Sequence, residues 1–151
     1  MPTLPTPGRR HRTGFTLVEM AIATAVSGVL ASVAYPSVSA ALHKARRSEA
    51  LVAMMQLQQA QERWRSGNSR YASLAELALP ANAPGGHYRI EVADPTAQGY
   101  VALAQATGTQ AGDRACRFMK LTVDGAALVY RSGDSESTSN GAQANRQCWN
   151  L

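Results

Sequence analysis

Residues that carry enzymatic chemistry are few in this chain of 151 residues. Its three histidines are His11, His43 and His87, and no two of them have the spacing of metal ligands. No serine stands in a G-x-S-x-G motif, and the sequence has no glycine-rich phosphate-binding loop. We therefore predict a protein that is not an enzyme and that has no metal site and no cofactor.

Cysteine is almost as scarce, since the chain contains only Cys116 and Cys148. This number excludes a small scaffold held together by many disulfides. Two cysteines favour a single disulfide formed in an oxidising compartment, and the alternative is two unrelated free thiols. Closing a loop of about 33 residues would contribute roughly 3 to 4 kcal/mol.

Charge is also sparse, at 17% of residues, and it is unevenly distributed. The formal net charge of +5 comes mostly from Arg9, Arg10 and Arg12 near the N-terminus. Without these three arginines, 12 basic residues face 10 acidic ones. The overall charge therefore gives little support for binding to nucleic acid.

An apolar run follows the basic residues, from Phe15 to Tyr35, and Glu19 is its only charged residue. As a helix of about 21 residues it would span roughly 31 Å, which is the hydrocarbon thickness of a bilayer. A carboxylate in such a segment is a functional-site hypothesis by default. The alternative is that Glu19 is accidental and reaches up to the membrane interface.

The residues before this run do not form an ordinary secretory signal, because no apolar block lies ahead of Gly14. The small residue stands instead between the basic stretch and the apolar segment. A cut after Gly14 would therefore take place at the cytoplasmic face, and the apolar segment would stay with the mature protein.

The motif G-F-T-L-V-E at residues 14–19 resembles the class III leader of type IV pilins and pseudopilins. The resemblance implies that prepilin peptidase cleaves after Gly14 and N-methylates Phe15. It also implies that Glu19 neutralises the N-terminal amine of a neighbouring subunit during assembly. Gly28 and Pro36 stand where pilins carry helix-weakening residues.

The helix is predicted to continue past Pro36, because residues 37–65 contain neither glycine nor proline. We expect one element from Phe15 to Arg65, kinked or locally unwound between Gly28 and Pro36 and ended by Ser66-Gly67-Asn68. Its apolar surface is wide. One interpretation packs it on a sheet of the same chain and on other subunits, and the other packs all of it within one domain.

Alternation of apolar and polar residues predicts strands at residues 87–93, 100–106 and 116–123, with a shorter fourth at 127–131. Turn signals, including Asp124-Gly125, separate them. Before the strands, a short helical turn is predicted with Ser73 as its cap. The predicted fold class is α+β: a long N-terminal helix packed on a three- to four-stranded antiparallel sheet, with a C-terminal disulfide-bounded loop.

Two polar regions remain open to a binding role. Residues 132–146 are predicted to form a plain solvated loop, and the alternative is contact with a ligand through Asp134, Glu136 and Arg146. The cluster Lys44, Arg46 and Arg47 is predicted to be a solvated helix face that marks the membrane boundary. Its alternative is binding to lipid headgroups or to the phosphates of nucleic acid.

Over most of its length the chain is similar to a type IVa minor pilin of the PilE kind, through SLAELALP, GHYRI, Asp124-Gly125 and Cys148-Trp149. This implies a leader at 1–14, a transmembrane assembly helix at 15–36 and a periplasmic globular domain at 37–151. The implied partners are other pilin subunits, prepilin peptidase, the inner-membrane assembly machinery and the inner membrane, with nucleic acid only weakly supported.

The function that we expect is that of a pilus subunit, first in the inner membrane and then in an extracellular pilus, which supports adhesion, twitching motility or DNA uptake. Two alternatives stay open at this point. One is a pseudopilin of a type II secretion system. The other is a membrane-anchored periplasmic binding module that never polymerises.

Overall fold

The computed structural model describes residues 14–138 and 141–150. The leader residues 1–13 lie outside the described residues. The chain divides into two compact units, one up to Ser39 and one from Ala40 onward.

Helix α1 runs from Leu17 to Arg65 and is assigned as one unbroken α-helix. The local unwinding expected between Gly28 and Pro36 is therefore wrong, and the alternative, a kink at Pro36 inside the helix, stays a prediction. A proline removes only one backbone donor, and the surrounding residues keep their helical conformation. The predicted end is confirmed: the Gly67 amide bonds to the carbonyl of Trp64 at 3.2 Å and the Asn68 side chain bonds to the same carbonyl at 2.8 Å.

Four strands form one antiparallel meander in the order β1-β2-β3-β4, which confirms the predicted fold class. Their bounds are Tyr88–Ala93 for β1, Gly99–Ala106 for β2, Phe118–Asp124 for β3 and Ala127–Gly133 for β4. The Asp124-Gly125 turn between β3 and β4 is confirmed, with Gly125 at a positive φ of 56°. Such a φ is costly for residues with a Cβ, which is why glycine suits this turn.

The core lies between the sheet and the part of α1 that belongs to the second unit. Ala50, Met54 and Leu57 of α1 share one buried cluster with the inward-facing residues of the sheet. In β2 every second residue faces inward, and three of these are alanines, which let the helix come close to the sheet. The buried sheet residues of this cluster are Tyr88, Ile90, Tyr100, Ala102, Ala104, Ala106, Met119 and Leu121.

Two elements depart from the sequence-based expectation. Cys116 ends a short 3₁₀ turn, Arg114–Cys116, rather than beginning a strand. The predicted C-terminal loop contains the start of a second helix, α2, from Ala142 to Trp149. Residues 132–146 show no apolar periodicity, because the buried side chains of α2, Cys148 and Trp149, lie after this range.

The contacts that hold α2 come from its middle and its C-terminal end. The Trp149 indole nitrogen donates to the carbonyl of Arg131 at 3.1 Å, and its ring lies 4.9 Å from that of Tyr130. The Asn145 amide donates to the carbonyl of Tyr130 at 2.8 Å. Cys116 and Cys148 form a disulfide with a Cα–Cα distance of 5.5 Å. The predicted pairing is confirmed, and the alternative of two free thiols is wrong.

Candidate functional site

The first candidate region is the start of α1. Gly14 is exposed and lies just outside the helix, and Phe15 is 85% exposed. The side chains of residues 14–38 are all exposed. Among the described residues, α1 is the one helix that is long and apolar enough to cross a membrane.

Glu19 makes a reciprocal capping interaction with Thr16 in its own chain. The Thr16 amide and hydroxyl donate to Oε2 of Glu19 at 2.8 and 2.9 Å, and the Glu19 amide donates to the Thr16 hydroxyl at 3.2 Å. This is a capping box, in which two otherwise unpaired amides of the first helical turn are satisfied. The spacing T-x-x-E could have revealed it from the sequence.

Other hydroxyl groups of the apolar segment are also satisfied locally. The hydroxyls of Thr24, Ser32 and Ser37 each donate to a backbone carbonyl three or four residues earlier, at 2.7 to 2.9 Å. Such bonds remove the need for a water partner, which matters where a helix lies in hydrocarbon. Gly28 has open space where a Cβ would stand.

The second candidate region is the basic cluster of the globular unit, and here one prediction fails. Arg47 is not on a solvated face: it binds both carboxylate oxygens of Asp113, at 2.6 and 2.8 Å, and the two side chains are 11% and 6% exposed. Arg46 donates to the Thr109 hydroxyl at 2.9 Å. Lys44 is exposed and remains on the solvated face as expected.

Arg47 is part of a buried polar network that joins α1 to the 3₁₀ turn Gly108–Gly112. The fully buried Gln110 amide nitrogen donates to the hydroxyl of Tyr88, to Asp113 and to the carbonyl of His43. Burial raises the pKa of Tyr88 to about 12. Because its members are paired with one another, this network is structural and offers no free group for ligand binding.

The third candidate region is the polar segment between β4 and α2. Asp134 is partly exposed and forms ion pairs with Arg114 at 3.2 Å and with Arg117 at 3.0 Å. The backbone carbonyl of Glu136 accepts a bond from Lys120 at 2.7 Å. Arg146 is exposed on α2. Residues 134–137 are exposed, as a solvated loop predicts, and Asp134 and Glu136 in addition contact these basic side chains.

Sequence reasoning missed the basic residues that hold this segment. Arg114, Arg117 and Lys120 recur at intervals of three on either side of Cys116, and this regularity is visible in the sequence. The structure brings them together because the 3₁₀ turn leads directly into β3. Among the described residues, no group of three or more histidine, cysteine or carboxylate side chains could hold a metal ion.

The long apolar helix, the four-stranded meander and the disulfide together define the architecture of a type IV pilin. Residues 9–35 match the prokaryotic N-terminal methylation motif. Residues 36–120 match the family described as type IV minor pilin ComP, DNA uptake sequence receptor. This second match covers more than half of the chain, so the chain belongs to that family. No curated protein matches the chain by sequence.

The resemblance to type IV minor pilins is thus confirmed. The chain is a pilus subunit of a family whose members are structural proteins rather than enzymes, anchored in a membrane through an apolar helix before it becomes part of a pilus. The pseudopilin of a secretion system and the binding module that never polymerises are not favoured.

Proposed function

We propose that this minor pilin binds DNA and takes part in its uptake through the pilus. The observation that carries the proposal is the match of residues 36–120 to a family described as a DNA uptake sequence receptor. The matched range begins at Pro36 and includes the 3₁₀ turns and the start of β3.

The distribution of charge in the second unit, rather than its small net charge, supports the proposal. Of the 15 lysines and arginines, only the three of the leader lie outside residues 40–151, and of the 10 acidic residues only Glu19 does, which leaves 12 basic against 9 acidic. Several cations form no ion pair among the described residues, including Lys44, Arg63, Arg131 and Arg146. Uncompensated cations of this kind supply the salt-dependent part of DNA binding.

A direct binding measurement tests this function. The full mature protein, in nonionic detergent, is titrated into a fluorescein-labelled DNA duplex over a series of KCl concentrations. We expect saturable binding. The logarithm of the association constant should fall linearly with the logarithm of the KCl concentration, with a slope of about 0.9 for each phosphate contact. Absence of binding at the lowest salt concentration would contradict the proposal.

The N-terminal residues complete the proposed function. Residues 1–14 serve as the leader, 15–36 as the transmembrane and assembly helix in the inner membrane, and 37–151 as the periplasmic domain that later becomes part of the pilus. Prepilin peptidase cleaves after Gly14 and methylates Phe15. Glu19 then leaves its capping box and pairs with the amine of a neighbouring subunit, while Gly28 and Pro36 allow the helix to loosen during assembly.

Two substitutions separate processing from docking. Gly14→Leu places a bulky side chain before the cut, and we expect unprocessed protein on a gel. Glu19→Ala should be processed but absent from sheared pili, because the amine of the neighbour then lacks its counter-charge. Glu19→Asp serves as the matched control that keeps the charge. Normal entry of Glu19→Ala into pili would contradict the role proposed for Glu19.

A further inference from the structure

Segment 134–136 lies against an unusual concentration of basic side chains. Arg114 and Arg117 contact Asp134, Lys120 contacts the carbonyl of Glu136, and Arg131 is exposed on the neighbouring strand. We call these four residues the basic surface. Its cations come from the 3₁₀ turn, from β3 and from β4, so only the folded chain brings them together.

Two members of the basic surface are direct cross-strand neighbours. Lys120 and Arg131 are paired in the register of β3 and β4. They point away from the core, because Met119 and Leu121 on either side of Lys120 are fully buried. Like charges directly opposite each other destabilise a sheet. Three acidic residues, Glu91, Asp94 and Glu136, line the surface beside this pair and offset part of the repulsion.

Asp134 occupies a position suited to such an anion. Its Oδ2 lies 3.2 Å from Nη2 of Arg114 and its Oδ1 lies 3.0 Å from Nη1 of Arg117, so each oxygen faces a different guanidinium group. A phosphate presents oxygens to arginine in a similar way. Arg117 is also oriented from its other side, since Nε donates to the carbonyl of Ala111 at 2.8 Å.

The contact with Asp134 is exposed enough to be exchanged. The side chains of Arg114, Arg117 and Asp134 are 76%, 34% and 46% exposed. Ion pairs of this exposure are weak, so a competing anion can displace the carboxylate at small cost. In this respect the pair differs from Arg47 and Asp113, which are almost fully buried.

The neighbouring depression on the sheet is a poorer place for an anion. It has a volume of about 450 Å³, and Lys120 and Arg131 contribute to its lining, but three acidic residues also do, namely Glu91, Asp94 and Glu136. The acidic lining offsets the two cations. The phosphate position therefore falls at Arg114 and Arg117, with Lys120 and Arg131 flanking it.

From this geometry we infer that Arg114 and Arg117 form a phosphate-contacting site for DNA, and that Asp134 takes the place of the phosphate when no DNA is bound. The inference rests on the proposed DNA binding and names its contact surface. Asp134 competes with DNA for the same two guanidinium groups. Removal of its charge should therefore strengthen DNA binding more than removal of a distant acidic charge.

The test uses Asp134→Asn and a matched control, Asp124→Asn, in the full mature protein in nonionic detergent. Asp124 is exposed at the opposite end of β3, about 20 Å along the strand from Phe118, which exceeds the screening length of about 8 Å at physiological salt. Both substitutions change the net charge equally. We expect Asp134→Asn to bind a labelled duplex about threefold to tenfold more tightly, and Asp124→Asn to bind it like the wild type.

A second set of variants tests whether Arg114 and Arg117 are the residues that contact the phosphate. Arg114→Ala with Arg117→Ala should reduce the salt slope by about 1, because the one phosphate held by the two guanidinium groups is then no longer neutralised. In that double variant, Asp134→Asn should no longer strengthen binding. Equal melting temperatures show that the variants remain folded.

The outcomes separate the inference from the proposed function. If wild type binds DNA but Asp134→Asn behaves like Asp124→Asn, the DNA-binding function stands and the inference is overturned. If the gain persists without Arg114 and Arg117, the inference is also overturned. If neither wild type nor Asp134→Asn binds, both fail. Binding by Asp134→Asn alone would contradict the proposed function, because the inference requires that the wild type also binds DNA.

Discussion

The two units of this chain use apolar side chains in opposite ways. In residues 14–38 every side chain is exposed, including large apolar ones such as Val33 at 74%. In the unit from Ala40 onward, side chains such as Leu57 and Leu121 are at most 1% exposed. The first unit therefore presents its apolar side chains to partners outside the chain, in lipid or in other subunits. The second unit buries a core of its own and leaves Leu42, Val52, Met55 and Leu128 exposed.

Polar side chains follow the same division. In the first unit, hydroxyls and the Glu19 carboxylate bond to groups three or four residues away. In the second unit, Arg47 reaches Asp113 over 66 residues and Gln61 binds both backbone groups of Ala72 at 2.7 and 2.9 Å. A segment suited to hydrocarbon must satisfy its polar groups locally, whereas a folded domain can use distant ones.

Removal of the disulfide should produce the largest contrast between the units. We expect the variant with Cys116→Ala and Cys148→Ala to lose roughly 4 kcal/mol of unfolding free energy, because a closed loop with a sequence separation of 32 restricts the unfolded chain. Urea denaturation in detergent, followed by near-ultraviolet circular dichroism, measures this loss. The helical signal of the first unit, measured separately in the far ultraviolet, should remain. A loss under about 1 kcal/mol would show that α2 docks without the disulfide.

A pair of equal substitutions sharpens the comparison of the two environments. Leu57→Ala removes a fully buried side chain and should cost about 2 to 4 kcal/mol in the same denaturation experiment. Leu30→Ala removes the same atoms from a side chain that is 65% exposed, and should change the unfolding free energy by less than about 0.5 kcal/mol. Equal costs at the two positions would contradict the division described above.

The smallest expected effect is a pH dependence at the surface of the second unit. Arg70 and the capping bonds of Ser73 lower the pKa of Glu76 to about 2, from an ordinary value of 4.5. A lowered pKa in the folded state means that the contribution to stability is complete above pH 4.5 and disappears as the pH falls to about 2.

Thermal melting of wild type and Glu76→Gln at a series of pH values measures this contribution. The wild type should melt higher at about pH 5, and the difference should vanish near about pH 2. Glu62→Gln, which removes an exposed carboxylate from α1, provides the control for the change in net charge. A difference that persists at the acid end of the series would mean that the charge of Glu76 is not responsible.

Much of the fold follows from local patterns. The alternation in β1 to β3 and the turn at Asp124-Gly125 predict the sheet, and the cap at Ser73 is confirmed by its reciprocal bonds with Glu76 at 2.8 and 3.4 Å. Helix α2 could not be predicted in this way. Its docking depends on Trp149, Asn145 and the disulfide meeting β4, and these contacts connect residues far apart in sequence.

The candidate sites divide along the same line. Residues 14–19 are adjacent in the chain, so their motif can be recognised from the sequence alone. The capping box of Thr16 and Glu19 likewise has a known spacing. The sequence could not distinguish the roles of Arg46 and Arg47. Neighbouring residues on a helix point in different directions, and Asp113, the partner of Arg47, lies 66 residues away in the chain.

The sequence by itself therefore determined the apolar helix, its single carboxylate, the alternating strands and the family, since each depends on residues close together in the chain. Only the tertiary structure decided that Arg47 is buried against Asp113 and that Asp134 lies between Arg114 and Arg117. The physical reason is that a side chain's electrostatic partner is set by distance in space, and the packing of α1, the 3₁₀ turns and the sheet brings these charges within about 3 Å.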